Sequence, residues 1–334
     1  MAKETSVDVQ IEERTLKLTN LEKVLYPETG FTKAQVIDYY TRIAPALLPH
    51  TRDHPLTLKR YPNGVDAEFF YEKNCPKHRP PWVQTATVWS GGNNRDMYYC
   101  LCQDKPTLVW LAQIATLEFH TSLSLASNLP QPRTMVFDLD PGPPATIVEC
   151  CRIGLMLRDL FAEHGLECHA KTSGSKGLQL YVPLNTKVTY VETKVISKGL
   201  AQLFEEKHPD LAVHKQLKEL RTGRVLIDWS QNDQYKTTVN VYSLRARARP
   251  TVSTPVTWDE VEKCLKAKEP SLLVFDSDQV LKRVDKLGDL FEPVIKKKQK
   301  LPKALIDATG GATALDKMAN RRHGGGRVRR PPPQ

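Results

Sequence analysis

The sequence predicts an α+β (mixed α/β) fold, and three observations carry that prediction. Segments of helical period alternate with short apolar runs of strand length. Several of those runs end abruptly in polar or turn-forming residues, as in MVFDLDPG and VLIDWSQN. At 334 residues the chain can bury a proper core as one large or two modest domains, and it contains no internal repeat.

Taken in order, IEERTLKLT (11–19) reads as a strand entering the loop LEKVLYPETG. Thr32 is placed to cap a helix over 32–51, in which Val36, Tyr39, Tyr40, Ile43 and Leu47 recur at helical spacing. PLTLKRYP is strand-like and leads through a loop to FFYEKN. TLVWLAQIATLEFH (107–120) alternates too little for a surface strand and is expected to form a buried helix ending near His120. MVFDLD is a strand. TIVECCRIGLMLRDLFAEHG is an amphipathic helix with Val148, Cys151 and Leu155 aligned and Gly165 as its stop. Short strands follow around CHAKTSGSKGLQLYVPL, then a helix near VETKVISKGLAQLFEEKHP and the strand VLID. A small helical extension begins at PTVSTPVTWDEVEKCLK. The expected organisation is an N-terminal extension 1–14, a folded body 15–295 and a tail 296–334.

Charge is distributed unevenly. Residues 296–334 hold eleven Lys/Arg against two Asp, so 1–295 carry only +1 of the formal +10. Gly, Pro and basic residues with few large apolar groups predict a disordered tail that adds salt-sensitive affinity for polyanions. A nearly neutral body must meet nucleic acid through a local patch. Seven irregularly spaced cysteines are a poor disulfide framework and suit a reducing compartment. No apolar run approaches the ~18–20 residues of a membrane span, and MAKETSVDVQ is too polar for a secretory signal. A cytoplasmic protein with no membrane contact is expected.

Chemistry concentrates at strand ends. Side chains alternate along a strand, so Asp138 and Asp140 share a face while Leu139 takes the other. Two close carboxylates repel unless a cation lies between them. D-x-D by itself fits a solvated strand end as well as a metal platform. Asp228, ending the apolar run of RVLIDWSQN, adds a third hard oxygen ligand of the kind Mg²⁺ prefers. TSGSKG (172–177) offers backbone N–H groups, two hydroxyls and a lysine for phosphate, although an ordinary hairpin turn reads the same way and the Walker spacing is absent. Cys75-x-x-His78 with Cys100-x-Cys102 could supply four ligands to zinc, or be half-buried thiols.

Seven ordered blocks, LTNLEKVLYP, KRYPNGV, FFYEK, FDLDPG, TSGSKGL, DWSQN and YSLR, resemble the polymerase domain of bacterial ligase D and its stand-alone relatives in the archaeo-eukaryotic primase superfamily, over about residues 15–293. The resemblance implies a primase-type core of mixed, largely antiparallel sheets with flanking helices. It implies a template-dependent nucleotidyltransferase that fills short gaps, prefers ribonucleotides and uses two divalent cations, Mn²⁺ or Mg²⁺. Asp138, Asp140 and Asp228 match the metal triad. His120, Ser173, Lys176, Gly177, Gln179, Gln231, Lys236 and Arg245 match nucleotide-pocket positions, and Arg60 and Lys73 match basic residues lining the site. Asn20, Lys23 and Lys33 match a pocket for a downstream 5′-phosphate. Phe69 and Phe70 resemble an aromatic pair that stacks on a template base, though a strand would turn only one ring outward. One departure is Gln179, where SKGLHL is common: a neutral amide donates but adds no charge.

The implied partners are gapped or broken DNA bearing a 5′-phosphate, NTP or dNTP, a separate ATP-dependent ligase and Ku, in a bacterial cytoplasm at the nucleoid. No adenylation motif with a second domain's length accompanies the body, so ligation is expected from another protein. Two other classes compete. An end-binding and synapsis module would use the 5′-phosphate pocket with synthesis secondary. A phosphatase or nucleotide-sugar transferase would use D-x-D alone, leaving DWSQN unexplained.

Overall fold

The computed structural model describes residues 6–90 and 94–310. The chain opens with two small hairpins, β1 (Ser6–Ile11) with β2 (Arg14–Thr19) and β3 (Val24–Tyr26) with β4 (Phe31–Thr32). The boundary expected at residue 14 therefore falls inside the β1–β2 hairpin. Helix α1 (Lys33–Thr51) starts where expected, because Thr32 and Gln35 form a reciprocal capping box. Next come β5 (Leu56–Arg60), β6 (Phe70–Glu72), β7 (Thr85–Ser90) and β8 (Arg95–Cys100).

The helix expected over 107–120 is two elements. Helix α2 (Lys105–Gln113) stops at a turn in which Ala115 adopts φ 60°, and the chain continues as strand β9 (Thr116–Thr121). His120 is thus a strand residue. Strand β10 (Thr134–Pro141) and helix α3 (Ile147–Glu163) follow, the helix capped by Thr146 and Glu149. Then come β11 (His169–Thr172), β12 (Leu178–Pro183), α4 (Tyr190–Lys207), β13 (Ala212–Val213), β14 (Val225–Asp228), β15 (Thr238–Val239) and β16 (Pro255–Val256). Four helices close the described chain: α5 (Trp258–Ala267), α6 (Ser277–Leu287), α7 (Glu292–Lys296) and α8 (Lys303–Ala308).

Two six-stranded sheets organise the body. The first has the order β13-β14-β10-β12-β11-β16 and is antiparallel except for the parallel β13–β14 pair. The second has the order β15-β9-β5-β8-β7, with β6 also paired to β5, and is antiparallel throughout. Met135, Phe137 and Leu139 of β10 pack with Ile153, Leu157 and Phe161 of α3 in one core. Tyr40, Ile43 and Leu47 of α1 pack with Leu108 and Leu111 of α2 and Phe119 of β9 in the other. The odd-numbered side chains of β10 are therefore spent on the helix layer, which leaves Asp138 and Asp140 facing the second sheet.

The segment after Ile295, expected to be a disordered tail, is folded as far as Gly310. Gln299 is buried and donates to the carbonyls of Pro183 and Glu167, and Leu305 of α8 is buried in the core under α3. The rest of the expected tail, 311–334, lies outside the described residues. No helix of the described residues is long and apolar enough to cross a membrane.

Candidate active site

The register of the first sheet sets the site. Asp138 on β10 pairs with Asp228 on one side and with Gln179 on the other, and Gln179 pairs in turn with Lys171 on β11. Directly paired residues put their side chains on the same face of a sheet. Asp228, Asp138, Gln179 and Lys171 therefore form one transverse row across four strands, with Asp140 two residues further along β10.

The row is electrostatically loaded. Burial first, then the charges of Asp228 and Asp140, push the Asp138 carboxyl up to about 6, while a hydrogen bond from Gln179 opposes the shift. Asp228 Oδ1 accepts from the backbone N–H and hydroxyl of Ser230 at 2.8 and 2.6 Å, and its Oδ2 accepts from Gln231 at 3.1 Å. Asp140 Oδ2 accepts from Arg221 at 3.3 Å. Among the described residues no three His, Cys, Asp or Glu side chains are gathered at metal-ligating distances. The donor set nonetheless fits a divalent cation: hard carboxylate oxygens, one of them destabilised by its neighbours' charge, are what such an ion stabilises.

Beside the row lies a cavity of about 480 Å³ between the two sheets, which brings together His120, Asp138, Asp140, Gln179, Gln231 and Arg245 with the loop residues Ser173, Lys176 and Gly177. That loop joins β11 to β12, so the hairpin reading of TSGSKG is correct as geometry. Gly174 takes φ 67°, and Ser173 Oγ accepts from the N–H groups of Ser175 and Gly177 at 3.2 and 3.1 Å. A β-carbon at Gly177 would lie 2.1 Å from the Leu139 carbonyl oxygen, so only glycine lets the loop close onto β10. Lys176 is exposed at the cavity's edge.

Across the cavity, His120 Nε2 is 2.9 Å from Glu118 Oε2. Burial alone would raise the Glu118 carboxyl, but the hydrogen bond with His120 and the charges of Arg245 and Lys59 hold it well below the carboxylate range. Lys59 approaches at 3.3 Å and Arg245 at 3.4 Å. Burial in turn lowers His120. Three polar side chains are thus tied to one buried carboxylate. Arg245 also donates to the Ser173 carbonyl, which joins this group to the TSGSKG loop.

Other expected positions fall outside the cavity lining. Arg60 donates from one guanidinium nitrogen to both carboxylate oxygens of Glu72 at 3.0 and 3.1 Å, Lys73 donates to the Tyr235 carbonyl at 3.3 Å, and Lys236 donates to Ser230 Oγ at 2.5 Å. Asn20, Lys23 and Lys33 are brought together by backbone hydrogen bonds, Lys23 N–H to Asn20 and Lys33 N–H to Lys23. Lys33 is buried and donates to the Thr19 carbonyl at 2.8 Å, whereas Lys23 is exposed and bonds Asn63. Phe69 and Phe70 are both exposed, at 50% and 54%. The expectation that one ring would be inward fails because Phe69 precedes β6 and stacks on Tyr61 at 5.2 Å, with the Lys59 ammonium above its face.

The zinc alternative is overturned. Cys75 and Cys100 form a disulfide, Cys102 is a buried free thiol, and His78 packs edge-on against Trp110. Residues that the sequence reading passed over include Glu118, Arg221 and Lys171. Glu118 was visible as the i−2 neighbour of His120 once 116–121 is a strand. Lys171 stood out only as a cation inside an apolar strand, and nothing in its polar loop marked Arg221.

A mixed sheet that lines up three strand-end aspartates beside a phosphate-sized loop and a buried cationic cluster is the framework of a nucleotidyltransferase. The chain belongs to the LigD primase-polymerase domain family, whose model matches residues 32–291. The polymerase domain of Mycobacterium tuberculosis ligase D, solved in complex with DNA, is similar at 39% identity and TM-score 0.79, covering 86% of this chain and 100% of that one. The multifunctional non-homologous end joining protein LigD of Mycolicibacterium smegmatis is 41% identical over 281 residues, 84% of this chain and 36% of that protein. The bifunctional non-homologous end joining protein LigD of Bacillus subtilis is 30% identical over 292 residues, 87% and 46%. The chain thus spans less than half the length of these curated relatives.

Proposed function

We propose that this domain is a template-dependent polymerase that adds nucleotides, ribonucleotides in preference, to a primer end in short DNA gaps or breaks and reads the downstream 5′-phosphate. The observation that carries the reading is the row Asp228–Asp138–Gln179 opening onto a cavity whose other wall is His120 and Arg245. Asp138, Asp140 and Asp228 would hold two divalent cations, Mg²⁺ or Mn²⁺, which when bound neutralise charge on a phosphoryl group in transfer. Lys176 and the Ser173 loop bind the triphosphate. Glu118 fixes the ring of His120 so that a nitrogen faces the incoming nucleotide. Gln231 orients Asp228 beside the primer terminus.

At the other end of the substrate, Lys23 and Asn20 take the 5′-phosphate with Lys33 behind them, and Phe69 and Phe70 stack where the template turns. Exposure of both rings favours this use over core packing. Repair with a separate ATP-dependent ligase and Ku is the pathway this substrate suggests. A binding module that merely holds ends would need the Asn20–Lys33 pocket but not the acidic row. Extension of a labelled primer on a gapped duplex, with and without the downstream phosphate, tests both. Synthesis should need Asp138, respond to the phosphate, and favour NTP over dNTP; Asp138→Ala that still extends at the wild-type rate would overturn the reading.

A further inference from the structure

Lys171 is 0% exposed, and the proposed chemistry leaves it without a task. Its ammonium donates to Gln179 Oε1 at 2.5 Å and to Ser253 Oγ at 2.7 Å, and it sits 5.4 Å from the centre of the Tyr181 ring. Ser253 Oγ spends its own proton on the Thr172 carbonyl at 2.9 Å, so its lone pair faces the lysine. The hydrogen-bond directions in this cluster are therefore set from the interior outward.

Gln179, 3% exposed, is the only member of the row whose polar head has two unlike ends. A carboxamide can present its oxygen or its NH₂ to Asp138 with little change in shape. Oxygen against carboxylate would place two acceptors together, whereas NH₂ donates to it. The register puts Gln179 directly between Asp138 and Lys171 on one face of the sheet, and its amide acts to lower the Asp138 carboxyl. Lysine gives hydrogens and so claims the amide oxygen.

We propose that Lys171 is a positioning residue: by taking the carbonyl oxygen of Gln179 it turns the amide nitrogen of Gln179 onto Asp138 and holds that carboxylate aimed for a divalent cation. The inference rests on the metal-holding role proposed for Asp138. It also gives the amide at 179 a purpose: a directed hydrogen bond does the work.

Mn²⁺ alone is the probe, its dissociation constant read from the free-ion electron paramagnetic resonance signal, with a thermal melt of each variant. Lys171→Met and Gln179→Leu should each weaken Mn²⁺ binding by roughly 10–100-fold, the usual effect of losing a group that orients a ligand. The double variant should be no weaker than Gln179→Leu alone, because without the amide there is nothing for the lysine to orient. Losses that multiply in the double variant would show a direct charge effect on Asp138 and overturn the proposal, as would wild-type affinity in Lys171→Met. If Asp138→Ala and Asp228→Ala also leave Mn²⁺ binding unchanged, the metal reading itself falls and takes this inference with it. Should Lys171→Met alone fail to melt cooperatively, comparing the double variant with Gln179→Leu carries the test: equal affinity supports orientation, further loss refutes it.

Discussion

The two sheets face one cavity but treat their polar and aromatic groups in opposite ways. In the first, the working groups sit mid-sheet, and β12 is buried along its whole length, so Gln179 and Lys171 can only point where the interior allows. In the second, β6, β7 and β8 leave Phe70, Tyr71, Trp89 and Tyr98 half exposed, while the Glu118 cluster on β9 is deeply set. Position is purchased by burial in the first sheet; in the second, reach is kept by exposure. Substitutions should separate along the same line.

The largest expected effect is on activity without loss of fold. Asp138→Asn should lower nucleotide addition by roughly 10³-fold or more, as for a group acting on the transition state. Its melting temperature should hold or rise, since burial and the like charges of Asp228 and Asp140, pushing this carboxyl up to about 6, disfavour the ionised folded form. A large drop in the melt would mean that Asp138 supports the sheet. Glu118→Gln inverts the pattern. Removing the carboxylate leaves Arg245 and Lys59 facing a neutral amide, which should cost about 3–5 kcal/mol at pH 7 by urea denaturation. Because the folded Glu118 carboxyl is held below its unfolded value, its stabilisation is complete above the unfolded range, near ~4.3, and drains away as pH falls through the folded value. The gap between the two proteins should therefore narrow below about pH 4.

Smaller effects belong to the second sheet's outer strands. Cys75→Ser removes a bridge closing 25 residues and should cost about 3 kcal/mol under oxidising conditions and nothing once both proteins are reduced. Intact mass after alkylation, with and without reductant, reports the bond directly. Phe70→Ala should leave stability within about 0.5 kcal/mol yet weaken binding to a gapped duplex by roughly 1–3 kcal/mol of stacking in fluorescence anisotropy. An equal loss in both measurements would place the ring in the core after all.

Local signals made much of this legible. The Thr32 cap starts its helix as read, and the alternation through MVFDLD puts Asp138 and Asp140 on one face. Short-range patterns failed where the deciding contact is distant. TLVWLAQIATLEFH is largely apolar, so it has no clear period to separate helix from strand, and the break depends on a left-handed Ala115. Cys75 meets Cys100 only through the way β8 runs beside the loop after β6, where Cys75 N–H bonds the Tyr98 carbonyl. Lys171 and Gln179 meet through a hairpin register, and Gln299 finds Pro183 and Glu167 more than a hundred residues back. The family blocks located the site residues as a set, while the partner of each came from pairing across strands.

The transverse row has a consequence for how function is lost. Its members lie on neighbouring strands, so their spacing is the spacing of the backbone ladder, and no loop movement can half-assemble them. Amide protons of β10 and β12 should be among the slowest to exchange, and primer extension should vanish in the same denaturant interval as that protection. Binding through Phe69 and Phe70, at the start of the three-residue strand β6, should fade earlier. A partly unravelled molecule would then be slow before it was silent: the grip on the template loosens first and by degrees, while the acidic row is lost last and all at once.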